Sequence, residues 1–477
     1  MGIFPEDHEI RITKLTKLWI SEGFLKPIGG KNLEEVAEEY LTDLIDRNLI
    51  LIRKWTRSGK IKTCSVHDVL RELCVRELSD IDLIRVPKAQ YIGFKAPLKD
   101  DDDCCFLCRH KLDRPNKIQL HEVLDGLGST TTANPSVCEA CNNRCSNLNR
   151  LRWVKILKLA CDQSGGKFPQ HTKLQYLDIK EYSGSCDYYY LPGWKALFPS
   201  TISLLWNLQI LIIHVYYKDS DYGDFGPSSL VLPSEIWEMP KLRHLMLQGH
   251  RLPDPPICNG QKGQDATILE NLSIVSSAGF RCTDEVVKRI PNLKKLYTGY
   301  SLYPVDDAHL NNLVKLNKLE SFFLACCSWL EIIAFPTSLK KLTLSYCRIH
   351  WEDMTIIGLL PNLEVFKLIR ASRGPEWSPC EGGFLRLKTL SIRDCFLVRW
   401  AAEDTHFPNL QSLILTRMHY LEEIPLSIGD INTLQSIHLE SCSASATNSA
   451  MKILEDQKEK GNESLQVYVD EKRVGVS

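Results

Sequence analysis

The chain has 477 residues, 44% of them hydrophobic and 25% charged, which is the composition of a protein with a large buried core. Its 58 basic and 59 acidic side chains leave a formal net charge of −1, so no global field draws it to nucleic acid or to an anionic membrane. No apolar run approaches the ~20 residues that cross a bilayer; MGIFPEDHEIR does not read as a secretory signal, and Glu6 stands where N-myristoylation favours Ser or Thr.

Two amphipathic helical stretches come first. Residues 8–24, HEIRITKLTKLWISEGF, place Ile12, Leu15, Leu18 and Trp19 at helical spacing. Residues 32–48, NLEEVAEEYLTDLIDRN, carry a stripe of Leu33, Val36, Ala37, Tyr40, Leu41, Leu44 and Ile45, with Asn32 and Glu35 spaced as a cap. In LILIRKWTRSGKIKTCSV two β-prone runs flank RSGK, which predicts a hairpin with glycine in its turn. VHDVLREL then predicts a third helix. Ser65-Val66-His67-Asp68 fits a Ser-x-x-Asp capping box, and Val66, Val69, Leu70 and Leu73 supply the buried face. A catalytic His-Asp pair needs a nucleophile or a metal, and the local sequence identifies neither, so His67 and Asp68 are read as a helix start.

Helix, helix, hairpin, helix over residues 1–80 outlines a small winged-helix α+β domain. Winged helices are relatives of DNA-binding helix-turn-helix units. Residues 1–80, however, hold 13 Lys or Arg against 14 Asp or Glu, and the second helix is acidic through Glu34, Glu35, Glu38, Glu39, Asp43 and Asp46. That leaves no electrostatic footprint for phosphates, and DNA binding is disfavoured.

Residues 81–150 read as an irregular linker and the entry to a solenoid. Cys105-x2-Cys108 and Cys138-x2-Cys141 could supply four thiolates to a tetrahedral zinc. The 29 residues between the pairs (109–137) exceed the usual spacing, and HEVLDGLGSTTTANPS reads as a loop, so free cysteines are favoured and no metal is expected. The 18 cysteines are expected to be reduced.

From residue 151 to 477 one pattern recurs about twelve times. It reads VKILKL (154–159), LQYLDI (174–179), LQILII (208–213), LRHLML (242–247), LENLSI (269–274), LKKLYT (293–298), LESFFL (319–324), LKKLTL (339–344), LEVFKL (363–368), LKTLSI (387–392), LQSLIL (410–415) and LQSIHL (434–439). From the fifth copy on, starts lie between 20 (319 to 339) and 26 (293 to 319) residues apart, the period of a leucine-rich repeat. Proline announces several copies, as in IPNLKKL, LPNLEVF and FPNLQSL, and ends the preceding segment. Stacked repeats bury the leucine rows in one core, and the positions between the leucines face outward as a surface for macromolecules. Cys327, Cys347, Cys395 and Cys442 each fall three residues past the last apolar position, the Asn/Cys position of the repeat, and are structural. The expected fold class is α/β: a leucine-rich-repeat solenoid (horseshoe) preceded by a winged-helix domain.

In combination, FPEDHEIRITKLTKLWISEGFLKP, LEEVAEEYLTDLIDRNLI and VHDVLREL resemble the winged-helix end of plant intracellular nucleotide-binding leucine-rich-repeat (NLR) disease resistance proteins. LPSEIWEMPKLRHL and IPLSIGDINTLQSIHL are similar to repeats of the late-blight-resistance type. The resemblance covers nearly the whole chain and is weakest over residues 80–150. It implies a cytoplasmic, non-enzymatic plant defense protein whose repeats bind a pathogen effector or a guarded host protein, with a related nucleotide-binding domain as a further partner. In that family a Met-His-Asp motif opens the last winged-helix helix, and its histidine approaches the phosphates of ADP. Val66, His67 and Asp68 match it with Val in the first place, and so become nucleotide-sensing residues in a full-length context. No GxxxxGK[ST] phosphate cradle occurs: Gly30-Lys31 is followed by Asn32 and Gly166-Lys167 by Phe168. The chain is therefore expected to be an N-terminally truncated receptor that by itself does not bind ADP strongly and does not hydrolyse ATP. The alternative is a leucine-rich-repeat scaffold or substrate adaptor of a ubiquitin ligase, which should instead begin with an F-box-like module.

Overall fold

The computed structural model describes residues 8–22, 25, 31, 33–56, 60–70, 72–73, 91–93, 156–161, 175–183, 202–203, 205–217, 230–256, 267–300, 307–326 and 334–474. They divide into two compact units, residues 1–221 with 232–248, and 222–231 with 249–477.

In the first unit, strand β1 (Ile10–Arg11) leads into helix α1 (Ile12–Glu22), followed by α2 (Leu33–Asp46) and the hairpin strands β2 (Ile50–Trp55) and β3 (Ile61–Val66). The start of the expected first helix is thus a strand, pairing antiparallel with β3 through Ile10↔Cys64. Leu15, Leu18 and Ile20 turn the apolar face of α1 inward, while Val36, Ala37 and Leu41 do the same for α2. Tyr40, expected in that stripe, is exposed. Asn48 closes α2 in the left-handed region (φ 57), where an Asn tolerates the conformation better than most residues. The predicted hairpin is present, with β2 antiparallel to β3 and Thr56 N–H donating to the Lys60 carbonyl at 2.6 Å. Asn32 of the proposed cap lies outside the described residues.

A parallel ladder continues the same unit: β4 (Tyr91–Gly93), β5 (Ile156–Cys161), β6 (Tyr176–Ser183), β7 (Ile210–Tyr217) and the start of β9 (His244–Arg251). The segment expected to be irregular therefore contributes a strand, β4, whose Ile92 is in register with Leu157.

The second unit carries a short strand β8 (Leu230–Val231) beside the end of β9. Its main ladder runs β10 (Ile274–Gly279), β11 (Lys295–Tyr300), β12 (Ser321–Cys326), β13 (Lys341–Ser345), β15 (Val365–Ile369), β18 (Thr389–Arg393), β20 (Ser412–Thr416), β21 (Ser436–Glu440) and β22 (Gln466–Val469), all parallel. Antiparallel β23 (Lys472–Val474) pairs with β22. Between repeats lie two small parallel pairs, β14 (Ile349–His350) with β16 (Ser372–Arg373), and β17 (Glu376–Trp377) with β19 (Arg399–Trp400). Helices α3 (Asp284–Arg289), α4 (Met354–Gly358) and α5 (Ala444–Glu459) complete the unit.

Register explains the repeat. Leu296, Phe322, Leu342, Phe366, Leu390, Leu413 and Ile437 stand side by side across the ladder, and all are buried. Leu324, Leu344, Leu368, Ile392, Leu415 and Leu439 form the next buried row. Register also corrects the fifth copy. Val275 aligns with Leu296 and Ser277 with Thr298, so the motif there is Leu272-x-x-Val275-x-Ser277, three residues beyond the LENLSI phase. Leu269 and Leu272 mimic the leucine spacing because Leu269 occupies the place of Ile290 in IPNLKKL, with Leu272 N–H bonded to Leu269 as Leu293 N–H is to Ile290. The polar Ser277 is satisfied in the core, accepting from Leu252 N–H at 3.1 Å and donating to the Gly279 carbonyl at 2.8 Å.

The asparagine of the Pro-Asn-Leu phrase has its own role. Asn292, Asn362 and Asn409 each donate through Nδ2 to a carbonyl of the preceding repeat (Glu270, Thr337, Leu385) at 2.8–2.9 Å. The cysteines behave as read: Cys347 Sγ lies 3.2 Å from the Ser345 carbonyl and 3.7 Å from that of Leu324, and Cys442 Sγ 3.4 Å from that of Leu415. Burial pushes the thiols of Cys395 and Cys442 upward, as expected of inert side chains. Cys327 lies outside the described residues. Trp351, Trp377 and Trp400 stack through successive repeats at 4.9 and 5.6 Å between ring centres.

After each of four strands the chain bends through a left-handed, non-glycine residue: Tyr346, Arg370, Asp394 and Arg417, at φ of 58°, 48°, 53° and 54°. Each donates its backbone N–H to the next strand (Tyr346 to Ile369, Arg370 to Arg393, Asp394 to Thr416, Arg417 to Glu440). The bend is therefore demanded by the ladder, and each side chain on it costs about 1–2 kcal/mol relative to glycine's freedom.

Two outcomes test this packing. Leu344→Ala should cost about 2–5 kcal/mol in thermal or denaturant unfolding, and Leu344→Asp should unfold several repeats by burying an unpaired charge; an unshifted transition in either variant contradicts the register. Arg417→Gly should leave the second unit as stable or up to about 1 kcal/mol more stable, whereas Arg417→Val should destabilise it by about 1 kcal/mol; equal shifts for the two would remove the left-handed bend as the cause.

Candidate functional site

Within the first unit the winged-helix residues and the ladder share one apolar cluster. Ile10, Leu15, Leu18, Leu41, Ile50, Cys64 and Val66 cluster with Tyr176, Ile210 and Ile212, and Met246 packs against them. Tyr176, Ile210, Ile212, His244 and Met246 occupy the outward positions between the leucines of β6, β7 and β9. The outward face expected to be free for partners is thus covered here, in the same chain, by the winged helix. The sequence held the signal, because Ile210 and Ile212 are apolar where an exposed strand face would be polar.

A polar clasp lies beside this contact. Glu34, in the first turn of α2, accepts from His244 Nε2 at 2.9 Å, and Arg243 Nη2 lies 3.4 Å from the same carboxylate. Burial works against the Glu34 carboxylate, but the His244 hydrogen bond and the charges of His244 and Arg243 outweigh it and hold the carboxyl at about 2. Burial pushes the His244 imidazole below its ordinary value, against the pull of Glu34. The clasp is an imidazole donating through Nε2 to a carboxylate that an arginine also pairs. His244 Nδ1 is buried without a hydrogen-bond partner among the described residues. Neither Glu34 nor His244 stood out in the sequence, since residues 34 and 244 meet only through the fold.

Val66, His67 and Asp68 lie at the far end of β3. Val66 is buried and pairs with Ile50. His67 leaves the strand with its backbone N–H on the Leu49 carbonyl at 3.2 Å, and helix begins at residue 68. The cap differs from the expected box. Ser65 is inside β3, buried, and receives Arg53 Nε at 2.7 Å, whereas His67 Nδ1 accepts from Val69 N–H at 3.3 Å. Strand pairing through Leu51↔Ser65 claims the serine before it can cap. Val69 is 70% and Leu73 49% exposed, so only Val66 and Leu70 of the expected face join the core. With Nδ1 used in the cap, Nε2 is the ring atom left to donate outward; Asp68 is exposed. Cys105, Cys108, Cys138 and Cys141 lie outside the described residues. Among the described residues no helix is long and apolar enough to cross a membrane.

Residues 3–74 match the family model of the disease resistance protein winged-helix domain. A late blight resistance protein homolog of Solanum demissum is 31% identical over 473 residues, covering 96% of this chain and 35% of its own length. A second homolog from the same plant is 31% identical over 474 residues, covering 96% and 58%. A leucine-rich-repeat protein of Leptospira interrogans is 15% identical, with 67% of this chain and 91% of that one covered at a TM-score of 0.29. The chain is thus similar over almost its whole length to late-blight-type resistance proteins, and it spans about a third to somewhat over a half of these two curated relatives.

The clasp predicts a pH dependence. Unfolded Glu34 takes up its proton near 4.5 and folded Glu34 near 2, so its stabilisation, up to about 3 kcal/mol, is complete above 4.5 and lost as pH falls towards 2. His244 acts in the same direction, because below about 6.5 the unfolded ring charges more readily than the buried one. Unfolding midpoints should therefore fall on acidification from about 6.5, and Glu34→Gln should flatten the segment below 4.5. An unchanged acid profile in that variant would show that the pair carries no linked proton.

Proposed function

We propose that this chain is the sensor part of a plant immune receptor: the outward face of its repeats recognises a pathogen effector or a guarded host protein in the cytoplasm, and it catalyses no reaction. The observation that carries this reading is the docking of the winged helix on the outward strand face of β6, β7 and β9. A surface of the same kind that binds partners in solenoids is already engaged in cis by the domain that, in the resemblance, holds the resting state. Recognition of a partner and docking of the winged helix thus draw on one type of surface.

In a complete receptor ADP would bind a nucleotide-binding domain, and its phosphates would be the group His67 faces. What this chain supplies is limited and specific: Val66 anchors the end of β3, and the Val69 N–H fixes the imidazole through Nδ1, which leaves Nε2 as the atom that would donate to a phosphate. Asp68 occupies the first helical position with its carboxylate outside the core. A leucine-rich-repeat scaffold or substrate adaptor of a ubiquitin ligase is the second reading, and the winged-helix match over residues 3–74 favours the receptor.

A chimera tests this. This chain would replace its aligned stretch in the Solanum demissum homolog, followed by transient expression in leaf tissue. The chimera should accumulate without tissue death, and His67→Ala should release the response without any effector. A well-expressed chimera that stays silent with His67→Ala would overturn the sensing role, and tissue death in the unsubstituted chimera would overturn the winged-helix brake.

A further inference from the structure

The bends after β13, β15, β18 and β20 carry side chains that the backbone disfavours. Gly or Asn adopts the left-handed region most easily, yet these positions hold Tyr346, Arg370, Asp394 and Arg417. Parallel register (Ser345↔Ile369, Ile369↔Arg393, Arg393↔Thr416) sets them one per repeat along the exit rim. The Arg370 guanidinium lies 5.7 Å from the Tyr346 ring centre and bonds Asp394 at 2.6 Å. Phe396 and Tyr420, 47% and 63% exposed, meet edge to face at 5.4 Å just beyond the same bends.

On the outward face of the same strands Lys341, Lys367 and Arg393 are exposed, as is Arg348 beside the rim. Asp394 is engaged by Arg370 and Glu364 by Lys388. Among the described residues Lys367, Arg393 and Arg417 have no ion-pair partner, so positive charge is in excess between β13 and β20. Arginine beside exposed Tyr and Phe is the composition of a protein-binding surface, and the arginine fork matches carboxylates. Four strands at ~4.8 Å span about 14 Å, the reach of four or five extended residues. A short peptide segment fills that, whereas nucleic acid would call for a longer basic track.

We propose that the outward face and exit rim of β13, β15, β18 and β20 bind an acidic, aromatic-containing segment of a partner protein. The inference rests on the recognition role above and adds where the partner sits and what chemistry selects it.

The test is fluorescence anisotropy of the full chain with a labelled twelve-residue Glu-Tyr-Glu repeat peptide, its Gln-for-Glu counterpart and a fifteen-nucleotide oligo-dT. The Glu peptide should bind and weaken with salt. Lys367→Glu with Arg417→Glu should raise its Kd about tenfold or more at an unchanged unfolding midpoint, while Lys452→Glu on α5 should leave it unaltered. Equal binding of the Gln peptide, no response to the double variant, or tighter binding of oligo-dT lost in that variant would each overturn the proposal. A chimera that signals only with His67→Ala, combined with charge-independent peptide binding, would sink only this surface, whereas charge-dependent binding with a chimera that stays silent even with His67→Ala would sink the sensing role and leave the surface standing.

Discussion

Everything in the repeat region depends on the parallel register that sets three apolar positions of each repeat against the same three of its neighbours. A single LxxLxL strand presents a hydrophobic row that it cannot bury; aligned across the ladder, Leu342, Phe366, Leu390 and Leu413 bury one another. The secondary features are consequences of keeping that register. The asparagine of Pro-Asn-Leu ties each turn to the preceding repeat, the cysteine thiol meets strand carbonyls where the chain leaves the sheet, and the left-handed bend hands a backbone N–H to the next strand. None of these groups needs a ligand to be satisfied, and Cys347 and Cys442 serve the turn after the strand.

The same repeat pattern offers two different outward faces. On β6 and β7 the outward residues Tyr176, Ile210 and Ile212 are apolar and buried beneath winged-helix residues. On β13, β15 and β18 they are Thr343, Lys367 and Ser391, half-buried or exposed. A solenoid repeats its inner rows by necessity, but nothing in the ladder dictates the outer ones. On β6 and β7 the apolar outer residues lie beneath the winged helix, whereas Lys367 and Arg393 on β15 and β18 are exposed.

Periodicity made the ladder legible in advance, and all twelve motif copies coincide with ladder strands. The single phase error, at 269–274, arose because Leu269 and Leu272 imitate the motif spacing while Ser277 occupies an inner place that only pairing with Thr298 reveals. Local rules fared worse where tertiary contacts competed. Ser65 had the spacing of a cap, but β3 claimed it, and His67 took the role. Val69 and Leu73 had the spacing of a core face but lie on the side turned away from the shared cluster. The Glu34–His244 clasp joins residues 210 positions apart, and no pattern within either helix or strand announces such a pair.

Strand β3 links the winged-helix residues and the ladder of the first unit. Cys64 and Val66 belong to the same apolar cluster as Ile210 and Ile212, and His67 follows Val66 directly, held by the Leu49 carbonyl. Close-packed cores respond to displacement as units because a shifted side chain forfeits its contacts at once. A shift of the outward positions of β7 would therefore be felt at Val66, and through it at an imidazole whose ring is pinned by a single bond from Val69 N–H. Glu34 strengthens the coupling by tying α2 to the start of β9, so that the helix and the strand ladder move together or separate at the cost of a buried, hydrogen-bonded carboxylate. Within the first unit, one strand and one clasp therefore connect the outward face of β7 and β9 to the His67 turn.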